Sequence, residues 1–212
     1  MIILILLFLI LICLNIPKKS ESYVSVDSNK KNIPKKIYKY QKKNLSNEYG
    51  FIPRSIYPDI VKLNNNHSKK LIKDFKNNGG DSIFNNIEKD GGCRYFHLIK
   101  DGRIQRFSER FPIIMKYILR IPNLKYASIS CLDPNTETEV HNKFDRSMYR
   151  AHIPLQVPKG NCGICVEKEC RTWEERDFLL IDENLMHQVW NYTNERRVVL
   201  LLDVEKVNFK KN

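Results

Sequence analysis

From residue 125 to residue 204 the chain repeats one pattern, short apolar-rich runs with a period of two, each closed by a turn. The runs are KYASISCL, YRAHIPLQV, CRTWEE, DFLLID, HQVWNY and RRVVLLLDV. Between them stand Asp133-Pro134-Asn135, Pro158-Lys159-Gly160-Asn161, Asp182-Glu183-Asn184 and Thr193-Asn194-Glu195. Alternation places successive side chains on opposite faces of a strand. Many short strands at this spacing predict an antiparallel sandwich or barrel. Upstream the period changes. Leu71, Ile72 and Phe75 share a helical face within 67–77, and 82–88 and 109–120 read as further short helices. The expectation is a mainly β core carrying N-terminal helices.

The first sixteen residues, MIILILLFLILICLNI, hold no charge. As a helix they would span roughly 24 Å, short of a hydrocarbon core of about 30 Å. Two readings stay open, a cleaved signal with Ser20-Glu21-Ser22 as the small-residue site and a signal-anchor. Either places the protein at a membrane or in the secretory pathway, with the endoplasmic reticulum expected. Residues 17–48 follow as a linker without periodicity. Nine lysines from Lys18 to Lys43 against Glu21 and Asp27 supply +7 of the whole chain's +12. Such a stretch stays solvated, with an anionic membrane surface as its second use. Its aromatics are too sparse for nucleic-acid binding, which is not expected. The remaining domain runs from 49 to 212.

Of the five histidines, His67 sits near a helix start and His97 in an apolar strand, and both read as structural. His141, His152 and His187 fall in the β region, each near a basic residue. Arg150 and His152 are two apart on one strand and share a face. Arg197 begins the strand that follows His187 across a tight turn. Two imidazoles and a guanidinium in one barrel suit iron(II) with a chelating oxo-acid, because a planar guanidinium grips a distal carboxylate through two parallel hydrogen bonds. Zinc bound by histidines and ordinary buried histidines are the competing readings. Asp182 at a turn, the Glu174-Glu175 pair, and Trp173 and Trp190 as core packing need no catalytic role. Cys162, Cys165 and Cys170 allow a disulfide, separate thiols, or a zinc site completed by Cys93 or Cys131.

The stretches ISCLDPNTETEVH (129–141), YRAHIPLQVPKGNC (149–162), RTWEERDFLLIDENLMHQVWN (171–191) and ERRVVLLLDV (195–204) resemble the catalytic domain of the aspartyl/asparaginyl β-hydroxylase family. The Thr-Trp-Glu-Glu block, the later His-x-Val-Trp and an Arg ten residues beyond that His carry the likeness, which extends more weakly back to Tyr49. The resemblance implies a double-stranded β-helix, jelly-roll or cupin-like, and an iron(II)- and 2-oxoglutarate-dependent dioxygenase that hydroxylates an unactivated C–H bond with O2. It implies His141 and His187 as iron ligands and Arg197 as the partner of the far carboxylate of 2-oxoglutarate. Ser130, Arg150 and His152 take the other co-substrate contacts. His141-Asn142-Lys143 lacks the carboxylate common two residues after the first histidine, as this family resembles an exception that leaves the position to water. An aromatic used beside the co-substrate falls at Cys93. The implied substrate is the β-carbon of Asp or Asn in a protein partner, such as an epidermal-growth-factor-like domain. A lipid acyl-chain or small-molecule hydroxylase is the alternative, and a non-catalytic barrel the third reading.

Overall fold

The computed structural model describes residues 50–143 and 147–206. The apolar leader and the Lys-rich linker lie outside the described residues, among which no helix is long and apolar enough to cross a membrane.

Helix α1 (Pro58–Asn77) opens on a proline, whose missing N–H costs nothing in a first turn that has no intrahelical acceptors. Ile60, Leu63, Asn64, Ser68, Leu71, Asp74 and Phe75 form its buried stripe, so the helix starts at Pro58 rather than at the expected residue 67. It stops before Gly79, which takes φ of 113°. The helix expected over 82–88 is a 3-10 turn over Gly80–Phe84, where Phe84 alone is buried and no second turn of apolar residues extends it.

Strands β1 (Cys93–Lys100) and β2 (Arg103–Ile104) form a hairpin around Asp101 and Gly102, with φ of 51° and 73°. Helix α2 (Pro112–Ile118) follows a 3-10 turn at Ser108–Arg110, dividing the helix expected over 109–120. Pro112 has no N–H to bond back to the preceding turn, so a new helix must start there. The carboxylate of Asp74 on α1 accepts from the amides of Ile113 and Ile114 at 3.1 and 2.8 Å. One helix thereby caps the next and locks their crossing.

Eight further strands complete the chain: β3 (Leu124–Leu132), β4 (Thr136–Glu137), β5 (Met148–Gln156), β6 (Cys162–Val166), β7 (Glu169–Arg171), β8 (Leu179–Ile181), β9 (His187–Asn191) and β10 (Arg197–Glu205). The run CRTWEE leaves the sheet after Arg171. A six-stranded sheet in the order β2-β1-β3-β10-β5-β8 faces a four-stranded sheet in the order β4-β9-β6-β7. All pairings are antiparallel, and the architecture is a double-stranded β-helix with helices against its larger sheet.

The alternation of β10 shows how the layers join. Val198, Leu200, Leu202 and Val204 pack with Leu71, Phe75, Ile114 and Ile118 of the helices. Val199 and Leu201 turn the other way, onto Ile164, Val166 and Val189 of the smaller sheet. A strand buried on both faces reads as a continuous apolar run. Each such side chain contributes about 1.5–3 kcal/mol on leaving water. Cys165 and Cys170 oppose each other across the β6–β7 hairpin and form a disulfide, while Cys93, Cys131 and Cys162 are free and buried. Asn191 is buried and donates to the carbonyls of Leu132, Asp133 and Glu195, which ties down the loop before β10.

Candidate active site

His141 and His187 meet through their backbones before their rings matter. The amide of each donates to the carbonyl of the other, at 3.1 and 2.8 Å, in an isolated antiparallel bridge next to β9. This sets the ring centroids 4.3 Å apart. Each Nδ1 then meets a carbonyl two residues back, Glu139 at 2.7 Å and Leu185 at 2.9 Å. A carbonyl only accepts, so Nδ1 carries a proton, and in the neutral ring the lone pair is on Nε2. His187 is buried, and that burial, partly offset by Glu183, lowers its pKa to about 4. The imidazole is therefore neutral near pH 7 and able to ligate.

Arg197 begins β10 and is 1% exposed. Its guanidinium carbon lies 4.8 Å from the centre of the Trp173 ring, and Nη2 is 3.9 Å from the Cys93 sulfur. Its Nε finds no acceptor, and among the described residues no carboxylate pairs with it. A buried charge left so is costly unless something anionic joins it. His152 is also buried, with neither ring nitrogen hydrogen-bonded, 6.0 Å from the Trp173 ring between centroids. Burial, then the positive charges of Arg150 and Arg197, holds its pKa well below the usual histidine value. A neutral imidazole there offers one donor and one acceptor.

Arg150 is placed differently from Arg197. It lies directly across from Asp203 on β10 and grips its carboxylate with Nε at 2.5 Å and Nη2 at 2.6 Å. Its Nη1 donates to Glu183 at 2.6 Å. Lys143 approaches the same Glu183 at 3.2 Å, and Glu183 Oε1 lies 4.0 Å from Nε2 of His187. Two cations and two carboxylates balance in this group. Arg197 stands apart as the uncompensated charge.

All six positions singled out from the sequence, Ser130, His141, Arg150, His152, His187 and Arg197, line one cavity of about 150 Å³ between the sheets. Cys93, the position expected to hold an aromatic, lines it too, with Tyr95 and His97 at alternate positions of β1. His97, read as structural, stands exposed at the rim and bonds the Tyr126 hydroxyl at 2.7 Å. Trp173, read as core packing, is the plate beneath Arg197. Glu183 was hidden in a turn motif. The signal for Tyr95 and Tyr126 was their alternation with Cys93 and Ser128 along neighbouring strands, which becomes informative once β1 is known to pair with β3. His67 stacks on Tyr117 away from this cavity, Asp182 bonds the Asn184 amide within its turn, and Glu174 and Glu175 are exposed. Among the described residues no group of three His, Cys, Asp or Glu side chains gathers to hold a metal, so neither a carboxylate-completed triad nor a cysteine zinc site is present there.

Residues 59–207 match the family described as Aspartyl/Asparaginyl beta-hydroxylase. The chain belongs to this family. An ornithine lipid ester-linked acyl 2-hydroxylase of Rhizobium tropici is 32% identical over 123 residues, 57% of this chain and 44% of that protein. The aspartyl/asparaginyl β-hydroxylase of Mus musculus is 33% identical over 134 residues, 56% of this chain and 17% of that protein. The chain thus spans less than half the length of either relative. Among solved structures, a cupin 2 conserved barrel domain protein from Salinispora arenicola aligns over 56% of this chain and 81% of its own, with a TM-score of 0.38 and 15% identity.

Proposed function

We propose that this hydroxylase is an iron(II)- and 2-oxoglutarate-dependent dioxygenase acting on the β-carbon of Asp or Asn residues in a protein substrate. The observation that carries the reading is the buried, carboxylate-free guanidinium of Arg197 in the same cavity as two imidazoles with fixed Nδ1–H tautomers. The donor set fits the absent groups. Nε2 of His141 and Nε2 of His187 are the nitrogens left to hold iron, and neutral imidazole nitrogen suits that metal. Arg197 would take one carboxylate of a dicarboxylic oxo-acid. Ser130 and His152 line the same cavity, and both ring nitrogens of His152 are without a hydrogen-bond partner among the described residues. When bound, iron(II) and 2-oxoglutarate supply the oxidising power that puts one atom of dioxygen into a C–H bond and the other into succinate.

The protein's part is orientation and exclusion of water. Arg197, packed on Trp173, forms a buried wall of the cavity, and His141 with Lys143 stands at its exposed side. Arg150 serves this reading through Asp203 and Glu183, holding that wall in place, with Glu183 steadied beside His187. The second reading, hydroxylation of a lipid acyl chain, is favoured by the bacterial lipid hydroxylase, of which this chain covers the larger share. Succinate formed from 2-oxoglutarate should require iron(II) and vanish in His187→Ala. Asp- and Asn-containing peptides against detergent-dispersed acyl lipids would then separate the two substrates. Full turnover by His187→Ala would overturn the ligand assignment.

A further inference from the structure

Phe107 and Ile104 are 60% and 58% exposed, and Leu119 at the end of α2 is 54% exposed. Ile104 and Phe107 stand at one margin of the molecule, and Leu119 lies at the end of α2 on the segment that leads into β3. Ile104 is on β2, the outermost strand of the larger sheet, and Phe107 follows it by three residues. The β1–β2 turn is held to the segment beyond α2 by the Gly102 amide, which donates to the carbonyl of Lys125 at 2.8 Å. Residues 100–125 contain seven Lys and Arg against Asp101 and Glu109, a net of +5. The described residues together carry 24 Lys and Arg against 20 Asp and Glu, a net of only +4. This one segment therefore carries a larger net charge than the described residues do as a whole.

Among the described residues five of these seven cations, Lys100, Arg103, Arg106, Lys116 and Arg120, form no ion pair, and all five are exposed. Lys125 pairs with Glu205, and Arg110 donates to the Asn78 carbonyl. The guanidinium of Arg106 sits 5.1 Å from the centre of the Phe107 ring. An exposed aliphatic and an exposed aromatic side chain three residues apart, with the unpaired guanidinium groups of Arg103 and Arg106 beside them in the chain, match a bilayer surface. Apolar tips enter the boundary between headgroups and acyl chains, while Arg and Lys extend back to anionic phosphates. A protein partner of ordinary affinity would need a wider complementary face than these few projecting side chains supply.

We propose that the margin formed by Arg103, Ile104, Arg106 and Phe107, flanked by Lys116, Leu119 and Arg120, is a docking surface for anionic phospholipid bilayers. It acts independently of the leader and of the hydroxylation read above. Because β1 carries both His97 at the cavity rim and the hairpin leading to β2, docking would hold that rim close to the lipid surface.

The test uses the full chain with Phe107→Trp, read as a difference from the parent, whose two tryptophans are buried. Vesicles are phosphatidylglycerol with phosphatidylcholine in equal parts, against phosphatidylcholine alone. The expected result is a blue shift with anionic vesicles and severalfold quenching by brominated acyl chains. Lys159→Trp, on the exposed β5–β6 loop, should show neither. Adding Arg103→Glu and Arg106→Glu to the Phe107→Trp protein should weaken the response at least tenfold with an unchanged far-ultraviolet spectrum. An unmoved, unquenched residue 107 on vesicles that sediment with the chain overturns the proposal, because the leader alone would then be the anchor. An equal response to uncharged vesicles overturns it as well.

Discussion

The guanidinium of Arg197 lies 4.8 Å from the centre of the Trp173 ring, sealed from water and facing no carboxylate among the described residues. The arrangement leaves a buried charge uncompensated, which costs stability. Arg197→Met should therefore stabilise the ligand-free protein, by about 1–3 kcal/mol in urea unfolding, because it removes an unpaired buried charge and keeps most of the volume. The same variant should raise the 2-oxoglutarate concentration for half-saturation by about 10- to 100-fold, the worth of a charge-assisted pair. Calorimetric titration checks the second half, and unchanged affinity would remove Arg197 from the co-substrate site.

His187→Ala should lower iron(II) affinity by more than about 100-fold, since it removes half of the proposed nitrogen donors. The effect is readable without turnover, from the absorption of cobalt(II) substituted for iron. Retention of the cobalt spectrum would move the metal elsewhere.

Arg150 and Asp203 form a buried, doubly hydrogen-bonded pair across β5 and β10. Without Asp203, Arg150 loses two of its three buried hydrogen bonds to carboxylates and keeps only the one to Glu183. Asp203→Ala should cost about 3–5 kcal/mol, whereas the same change at Glu174, exposed in its loop, should fall within about 0.5 kcal/mol. Denaturant midpoints of the two variants provide the comparison.

Acid should weaken the metal-free fold in a defined window. His187 titrates near pH 4 in the folded chain and His152 well below the usual histidine value, chiefly because both are buried. Unfolded, each titrates near pH 6.5, so below that pH the unfolded chain binds more protons. Stability should be level above pH 7 and decline from about pH 6.5 toward pH 4, with a slope of up to about 1.4 kcal/mol per pH unit for each histidine. Urea midpoints between pH 7.5 and 4.5 measure it. His152→Leu should roughly halve the slope, and an unchanged slope would place the protons elsewhere.

The strand pattern was legible because alternation is a local property. YRAHIPLQV had to put Arg150 and His152 on one face and Ala151 and Ile153 on the other, whichever strand lay alongside. The helices were legible only in part. The start of α1 was misplaced because its buried stripe crosses three asparagines, and the single helix expected around Pro112 was divided by a proline that Asp74 of another helix compensates. The cavity residues with the strongest motif spacing, His141, His187 and Arg197, could be named in advance. Glu183 and Tyr95 could not, since each looks ordinary among its neighbours in the chain.

By itself, then, the sequence determined the mainly β character, the helical prefix and a short roster of histidines and arginines able to meet a metal and an anion. Periodicity and residue chemistry do not depend on what lies opposite. Tertiary structure decided which of the two arginines was free. Asp203 faces Arg150 through the register of β5 and β10, 53 residues apart in the chain, and nothing comparable faces Arg197 among the described residues. The partner of a buried charge is set by strand pairing over long separations, and neither composition nor spacing contains that information.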